Sequence, residues 1–297
     1  MQDRARPATS YALLSIVTAV ATIGLKVAAW RITDSVGLLS DAAESAVNLV
    51  AALVALWALW AANRPADRDF AFGRSKAEYL SGGFEGLMIL LAAGAIAIAA
   101  FERLKTPRPL ESVGLGLLLS CGASLLNGVT AAILLKAGQR LRSVALRADA
   151  HHLLTDVWTS AGVIVGILLV KATGWLVLDP IVALLVAANI VWVAVRLLYE
   201  TGHGLLDKAL PEEDQAAIAA ILDGFHARGV VVHGLRTRAA GHRRFVQMHV
   251  LVPGTSTVQQ GHDLCEEIEK AIGQALPGCA VTTHLEPLED PSSWDES

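Results

Sequence analysis

Cysteine is scarce in this 297-residue chain: Cys121, Cys265 and Cys279 are odd in number, widely spaced and form no CxxC. That excludes a disulfide framework and a cysteine-built zinc cluster, and Cys265 and Cys279 fit a reducing compartment. Basic runs are missing too. Lys and Arg number 24 against 28 Asp and Glu, a formal net charge of −4, and no stretch concentrates positive charge as a nucleic-acid surface requires. Nucleic acid is therefore excluded as a partner. The chain has no HExxH, the helical signature of zinc proteases. A cleavable signal peptide is not expected, because the polar start MQDRARPATS leads into an apolar segment of spanning length.

Apolar residues, by contrast, are abundant. At 54% hydrophobic and 18% charged, with a mean hydropathy of +0.49, the chain is too apolar for an ordinary soluble protein, yet its last third is charged. A membrane domain followed by a soluble one is expected. Crossing the hydrocarbon core takes about 20 apolar residues, and six segments qualify: Tyr11–Trp30, Val36–Ala62, Tyr79–Phe101, Val113–Leu135, His152–Ala172 and Leu178–Leu198. An even number puts both termini on one side. Arg4, Arg6, Arg64, Arg68, Arg74, Lys76, Lys136, Arg140, Arg142 and Arg147 fall on that side, and Arg31, Arg103, Lys105, Arg108 and Lys171 opposite. The excess assigns the termini to the cytoplasm.

Two of these spans carry polar pairs at helical spacing. His152 and Asp156 are four residues apart at the head of one apolar run, and Glu44 and Asn48 repeat the spacing in another, with Asp41 on the same face. Ionisable groups inside a span face a bundle interior or a wet cavity and mark an ion pathway. Two such pairs suggest a four-ligand cation site, with Asp41 and His151 as neighbours that could touch the ligands or gate the path. Glu85 and Asn127, polar residues within the third and fourth spans, read as packing groups. Lys26 reads as a snorkelling side chain, and glycines such as Gly82, Gly86, Gly122 and Gly162 as points of close helix approach.

Beyond Leu206 short alternating segments replace the apolar runs. Pro211 followed by Glu212, Glu213 and Asp214 opens a helix running to about Phe225. Strands follow at Val231–Arg238 and Arg244–Val252, joined by the turn AAGH, then a helix over Thr257–Leu276 and a last strand over Ala280–Leu288. In the second strand Val246, Met248, Val250 and Val252 alternate with Phe245, Gln247, His249 and Leu251. The expected divisions are a tail (1–10), a six-span domain (11–206), an α+β domain (207–290) and an acidic tail (291–297).

The stretches LLSDAAES, FGRSKAEYL, RADAHHLLTDVWTSAGV, the DP opening the sixth span and LLDKALPEED together resemble the cation diffusion facilitators, and the likeness covers nearly the whole chain. The resemblance implies six transmembrane helices with a C-terminal α+β, metallochaperone-like (ferredoxin-like) cytosolic domain, a homodimer in the lipid bilayer, and export of a divalent metal against protons. It is not an enzyme on this reading. It implies a transport site of Glu44, Asn48, His152 and Asp156, a cytosolic site of His233, His249, His262, His284 and Glu286, and a dimer-junction ion pair of Lys76 with Asp207. Strand alternation independently sets His284 and Glu286 on one face and His249 opposite the apolar one.

Three departures from the family pattern follow. Glu44 and Asn48 replace a commoner Asp or His followed by Asp, which leaves the metal open: Zn2+ first, with Fe2+, Co2+, Ni2+ and Mn2+ as alternatives. In the loop after the second span Asp67 is kept, but Phe70 and Arg74 stand where histidine ligands would, so no metal is expected there. Glu286 replaces a common Asp. An imidazole of ordinary pKa near 6.5 lets protons and metal compete at His152, so a proton gradient could drive metal out across the cell (inner) membrane. A membrane-anchored metal sensor without transport is the alternative.

Overall fold

The computed structural model describes residues 5–33, 36–106 and 114–294. They form two compact units, Met1–Gly202 and His203–Ser297. The first holds six long helices: α1 (Ala5–Thr33), α2 (Val36–Ala62), α3 (Ala77–Lys105), α4 (Gly114–Leu141), α5 (Val144–Thr173) and α6 (Leu178–Leu205). Among the described residues, Ala8–Ala28, Ala77–Lys105, Cys121–Leu141 and Pro180–Leu205 are long and apolar enough to cross a membrane, and Asn48–Ala62 is a shorter apolar stretch. Large apolar side chains such as Leu91, Leu125, Leu185 and Trp192 line their outer faces, as lipid-facing surfaces do.

All the long helices but α2 outrun the apolar segments that announced them, because apolar residues mark only the part that lies in lipid. α5 starts at Val144 rather than His152. Ser143 sets this start, since its hydroxyl accepts from the Leu146 N–H and donates to Glu78 Oε2 at 2.5 Å. Gly174 ends the helix at φ +76°, returning its N–H to Val170. The extra turns bring Asp149 into α5.

α1 packs on α2 and α4, α4 on α5, and α3 on α5 and α2. The inward stripe of α1 is polar: Ser15 donates to Asp149 at 3.0 Å and Thr18 shares a 2.8 Å hydrogen bond with Thr130. Lys26 lies on the same stripe and is only 4% exposed, so it is enclosed among the helices rather than snorkelling. Small residues let α3 approach α6. A Cβ on Gly86 would lie 2.9 Å from Leu198, and one on Gly82 3.1 Å from Thr201 Oγ1. A Cβ on Gly162 would meet Val186 at 2.8 Å, whereas Gly122 has open space.

In the second unit α7 (Glu212–His226), β1 (Val231–Ala240), β2 (Arg243–Val252), α8 (Val258–Ala275) and β3 (Cys279–Pro287) follow in order, with a short 3-10 turn at Pro291–Trp294. β2 is central, antiparallel to β1 and parallel to β3. The hairpin strands run longer than the sequence suggested, meeting at a two-residue turn in which Gly241 takes φ +57°. Thr257 caps α8 through a reciprocal bond with Gln260. Val246, Met248 and Val250 turn to one face of the sheet and join Ile218, Leu222, Ile268 and Ile272 in a buried core. His249, one residue out of phase, turns to the other face.

Candidate metal sites

α2 and α5 pack so that Asn48 meets both members of the α5 pair. Asn48 Oδ1 lies 2.6 Å from His152 Nε2, and Asn48 Nδ2 donates to Asp156 Oδ2 at 2.5 Å. The reversed amide would press an oxygen against a carboxylate, so this orientation is the one the neighbours permit. An amide oxygen only accepts; Nε2 therefore bears the ring proton and Nδ1 keeps the lone pair. That Nδ1 is buried with no hydrogen-bond partner among the described residues. Asn127 of α4 adds a donor, its Nδ2 lying 3.0 Å from the same Asp156 oxygen. All four side chains are buried.

The cluster thus offers an imidazole lone pair, a carboxylate and an amide oxygen in a dry interior, a borderline-to-hard donor set for a divalent cation. Glu44 and Asp41 lie in a part of α2 whose side chains fall outside those described. His151 turns toward α6, where it lines a cavity with Thr155, Trp158 and Asn189 and feels the charges of Arg147, Glu200 and Arg196. Asn127 is the participant that sequence reasoning set aside. Its signal was a lone amide in an apolar run, but only the packing of α4 on α5 shows whom it serves.

The α2–α3 loop closes on itself. Asp67 Oδ1 accepts from the Asp69 and Phe70 amides, and Oδ2 pairs with Arg74 Nη2 at 2.6 Å. The Arg74 guanidinium also lies over the Phe70 ring at 4.1 Å. Arg74, followed by the Phe70 amide, holds the Asp67 carboxyl below its ordinary range. A fixed side-chain cation thus engages the carboxylate that a metal would need.

In the soluble unit the strand register aligns three imidazoles. His233 stands opposite His249, and His249 opposite His284. A bulge after His233, with Gly234 at φ +62°, takes up an extra residue so that the row and the rest of the hairpin both stay paired. Neighbouring rings meet edge to face, with centroids 4.9 and 5.1 Å apart. Glu286, two residues beyond His284, reaches all three: His233 Nε2 at 3.0 Å, and His249 Nδ1 and His284 Nδ1 at 3.2 Å each. Potential ligand atoms of His233, His249 and Glu286 lie within 4.8 Å of one another.

The His249 Nδ1 is buried and makes no well-aligned hydrogen bond, although Glu286 Oε1 lies 3.2 Å away. A divalent cation suits that gap. His262, exposed on α8, is not one of the three residues that meet within 4.8 Å, and neither is His284. Asp207 accepts from Arg238 Nη1 at 3.0 Å. Trp294, which no pattern in the sequence singles out, stacks on His233 with centroids 5.9 Å apart. Its indole is anchored by an N–H to the Leu288 carbonyl at 3.2 Å.

Comparison with known proteins agrees with this layout. The cation efflux transmembrane domain matches residues 12–206, and the cytoplasmic domain of cation efflux proteins matches residues 210–288. An uncharacterized transporter of Synechocystis is 54% identical over 290 residues, covering 98% of this chain and 94% of the relative. The cation-efflux pump FieF of Yersinia enterocolitica is 31% identical over 284 residues, covering 95% and 94%. A solved structure of a putative zinc transporter, CzrB, is 41% identical over 28% of this chain and 93% of its own, at a TM-score of 0.26, too low to bear on the fold. With both domains matched and relatives alike over nearly their whole length, the chain is an integral membrane protein of the cation efflux family, the cation diffusion facilitators, which are transporters rather than enzymes.

Proposed function

We propose that this protein exports a divalent metal, Zn2+ first among Zn2+, Fe2+, Co2+, Ni2+ and Mn2+, from the cytosol by proton antiport with alternating access. The observation that carries the reading is the buried His152–Asn48–Asp156 cluster joining two packed helices, in which the imidazole keeps one buried, unpartnered nitrogen. Glu44 would complete the quartet. With Glu44 and Asp156 ionised, His152 neutral and Asn48 uncharged, a bound divalent ion is formally neutralised, so the loaded site carries no excess charge through the bundle. A site filled from one side and emptied to the other needs two access states around a fixed midplane position.

The soluble unit then acts as a regulator. Metal taken up by His233, His249, His284 and Glu286, with His262 as a further ligand, would report cytosolic concentration and favour a transport-ready homodimer. Cytoplasmic termini and the inner membrane complete the proposal. The test is metal uptake and pH change recorded together in proteoliposomes across a panel of divalent ions under an imposed pH gradient. Flux in the parent that disappears in His152→Ala supports export. A parent that binds metal in its soluble domain and moves none would be a membrane-anchored sensor.

A further inference from the structure

Two carboxyl groups of the transmembrane unit stand apart from the His152–Asp156 cluster. Glu85 on α3 is 0% exposed and Asp149 on α5 is 1% exposed. A serine holds one oxygen of each: Ser81 Oγ donates to Glu85 Oε1 at 3.2 Å, and Ser15 Oγ of α1 donates to Asp149 Oδ1 at 3.0 Å. The second oxygens, Glu85 Oε2 and Asp149 Oδ2, are buried with no partner among the described residues. Both sit where α3 packs on α5, beside a point at which a Cβ on Gly82 would lie 3.8 Å from the Ala148 Cβ, and the charge of Asp149 acts on Glu85.

Among the described residues no basic group acts on either. The charged neighbours are engaged elsewhere. Arg147 pairs with Glu200, both of them and Arg196 act on His151, and Glu78 takes the Ser143 hydroxyl. Lys26 lies on the α1 stripe about three helical turns beyond Ser15. α6 brings uncharged Leu198 and Thr201 against this part of α3, and α1 turns Thr18 to Thr130 of α4.

Two ionised carboxylates in such an interior would each lose hydration and would repel the other. A proton on one relieves both costs. We propose that Glu85 and Asp149 form a proton-binding site, one proton held between α3 and α5, which loads and releases protons during the metal exchange. The coupling follows from the helix they share: Asp149 stands about one turn before His152 on α5, while Glu85 belongs to α3. A shift of α5 that opens the His152–Asp156 cluster also parts Asp149 from Glu85. This coupling rests on the antiport reading; the proton site itself does not.

Two measurements on the full-length protein decide it. In detergent, infrared difference spectra over a pH titration should show a protonated-carboxyl carbonyl band at neutral pH in the parent. The band should shift in Glu85→Asp and be lost in Glu85→Gln with Asp149→Asn. In proteoliposomes, Glu85→Gln should lower the protons exchanged per metal by about one, with metal affinity of the solubilised protein unchanged. The proposal is overturned if the parent lacks the band, if the band survives the double substitution, or if Glu85→Gln removes a bound metal instead. A parent that moves metal without protons would sink the antiport reading alone, and the infrared band would still decide the pair.

Discussion

Asn127 enters the His152–Asp156 cluster through one hydrogen bond, and the size of that bond sets what its loss should do. A hydrogen bond to a charged group contributes about 1.5–3 kcal/mol, and losing a partner that orients a ligand typically costs about 10- to 100-fold in metal affinity or activity. Asn127→Leu should therefore lower metal flux by about that factor while the protein still assembles; flux unchanged in proteoliposomes would return Asn127 to packing. Asn48 is the sharper case, because its amide spans His152 and Asp156. Asn48→Asp adds a negative charge beside a divalent ion, so it should tighten binding and reorder the preference among zinc, iron, cobalt, nickel and manganese, read by competitive flux. The helical spacing of four made His152 and Asp156 legible as one pair and Asn48 as half of a second with Glu44, and two pairs suggested one site, whereas Asn127 was not legible, since no spacing within α4 says which residue of α5 it meets. Asp67 was legible by its neighbours: with Arg74 in place of a ligand, Asp67→Ala should leave metal stoichiometry unchanged. Because Arg74 depresses the Asp67 carboxyl, what this pair contributes to the loop is present above the ordinary carboxylate range and is lost as pH falls through the depressed value. Amide exchange at Asp69 and Phe70, corrected for intrinsic rate, should rise over that window, and in Arg74→Ala the rise should begin at higher pH.

At the scale of elements, the three-histidine row depends on strand register rather than on any one residue. Period-2 alternation showed which residues of β2 face the core and which the histidine face, but it could not show that His233, His249 and His284 stand side by side. That needed both pairings and the bulge at Gly234. The left-handed backbone at Gly234, φ +62°, costs an L-residue about 1–2 kcal/mol. Gly234→Val should therefore destabilise the hairpin by at least about that much and weaken metal binding by the row, measured by thermal unfolding with and without metal. A variant equally stable and equally tight would detach the bulge from the site. The close approach of α3 to α6 makes the corresponding case among the long helices. Gly86 has no room for a side chain against Leu198, and overpacking of that kind typically costs about 1–3 kcal/mol, so Gly86→Leu should lower the thermal stability of the solubilised protein while Gly122→Ala, facing open space, should not. The sequence pointed to both glycines in the same terms; only the packing separates the tight one from the loose one.

On the scale of the whole molecule, each unit carries its own reason to fold. The core of the second unit runs from Leu210 to Leu276, contains Phe225, Met248 and Ile268, and is closed by residues of that unit alone. A fragment from about Pro211 onward should thus fold without the membrane helices, and the ligand row travels with it because every member lies on β1, β2 or β3. The composition break after Leu206 made this division visible, since the apolar runs stop and alternation begins there. What composition could not reveal is that the two candidate sites share no residue, and this makes their roles separable. His249→Ala with His284→Ala should abolish metal binding by the fragment in calorimetry and, in the full-length protein, should change the metal concentration at which flux begins rather than eliminate flux at saturating metal. His152→Ala should do the reverse, eliminating flux while the soluble domain binds metal as before. If the histidine pair of the soluble unit proved as necessary for flux at saturating metal as His152, metal there would be a step of the transport path and the division into a carrier and a regulator would have to be given up.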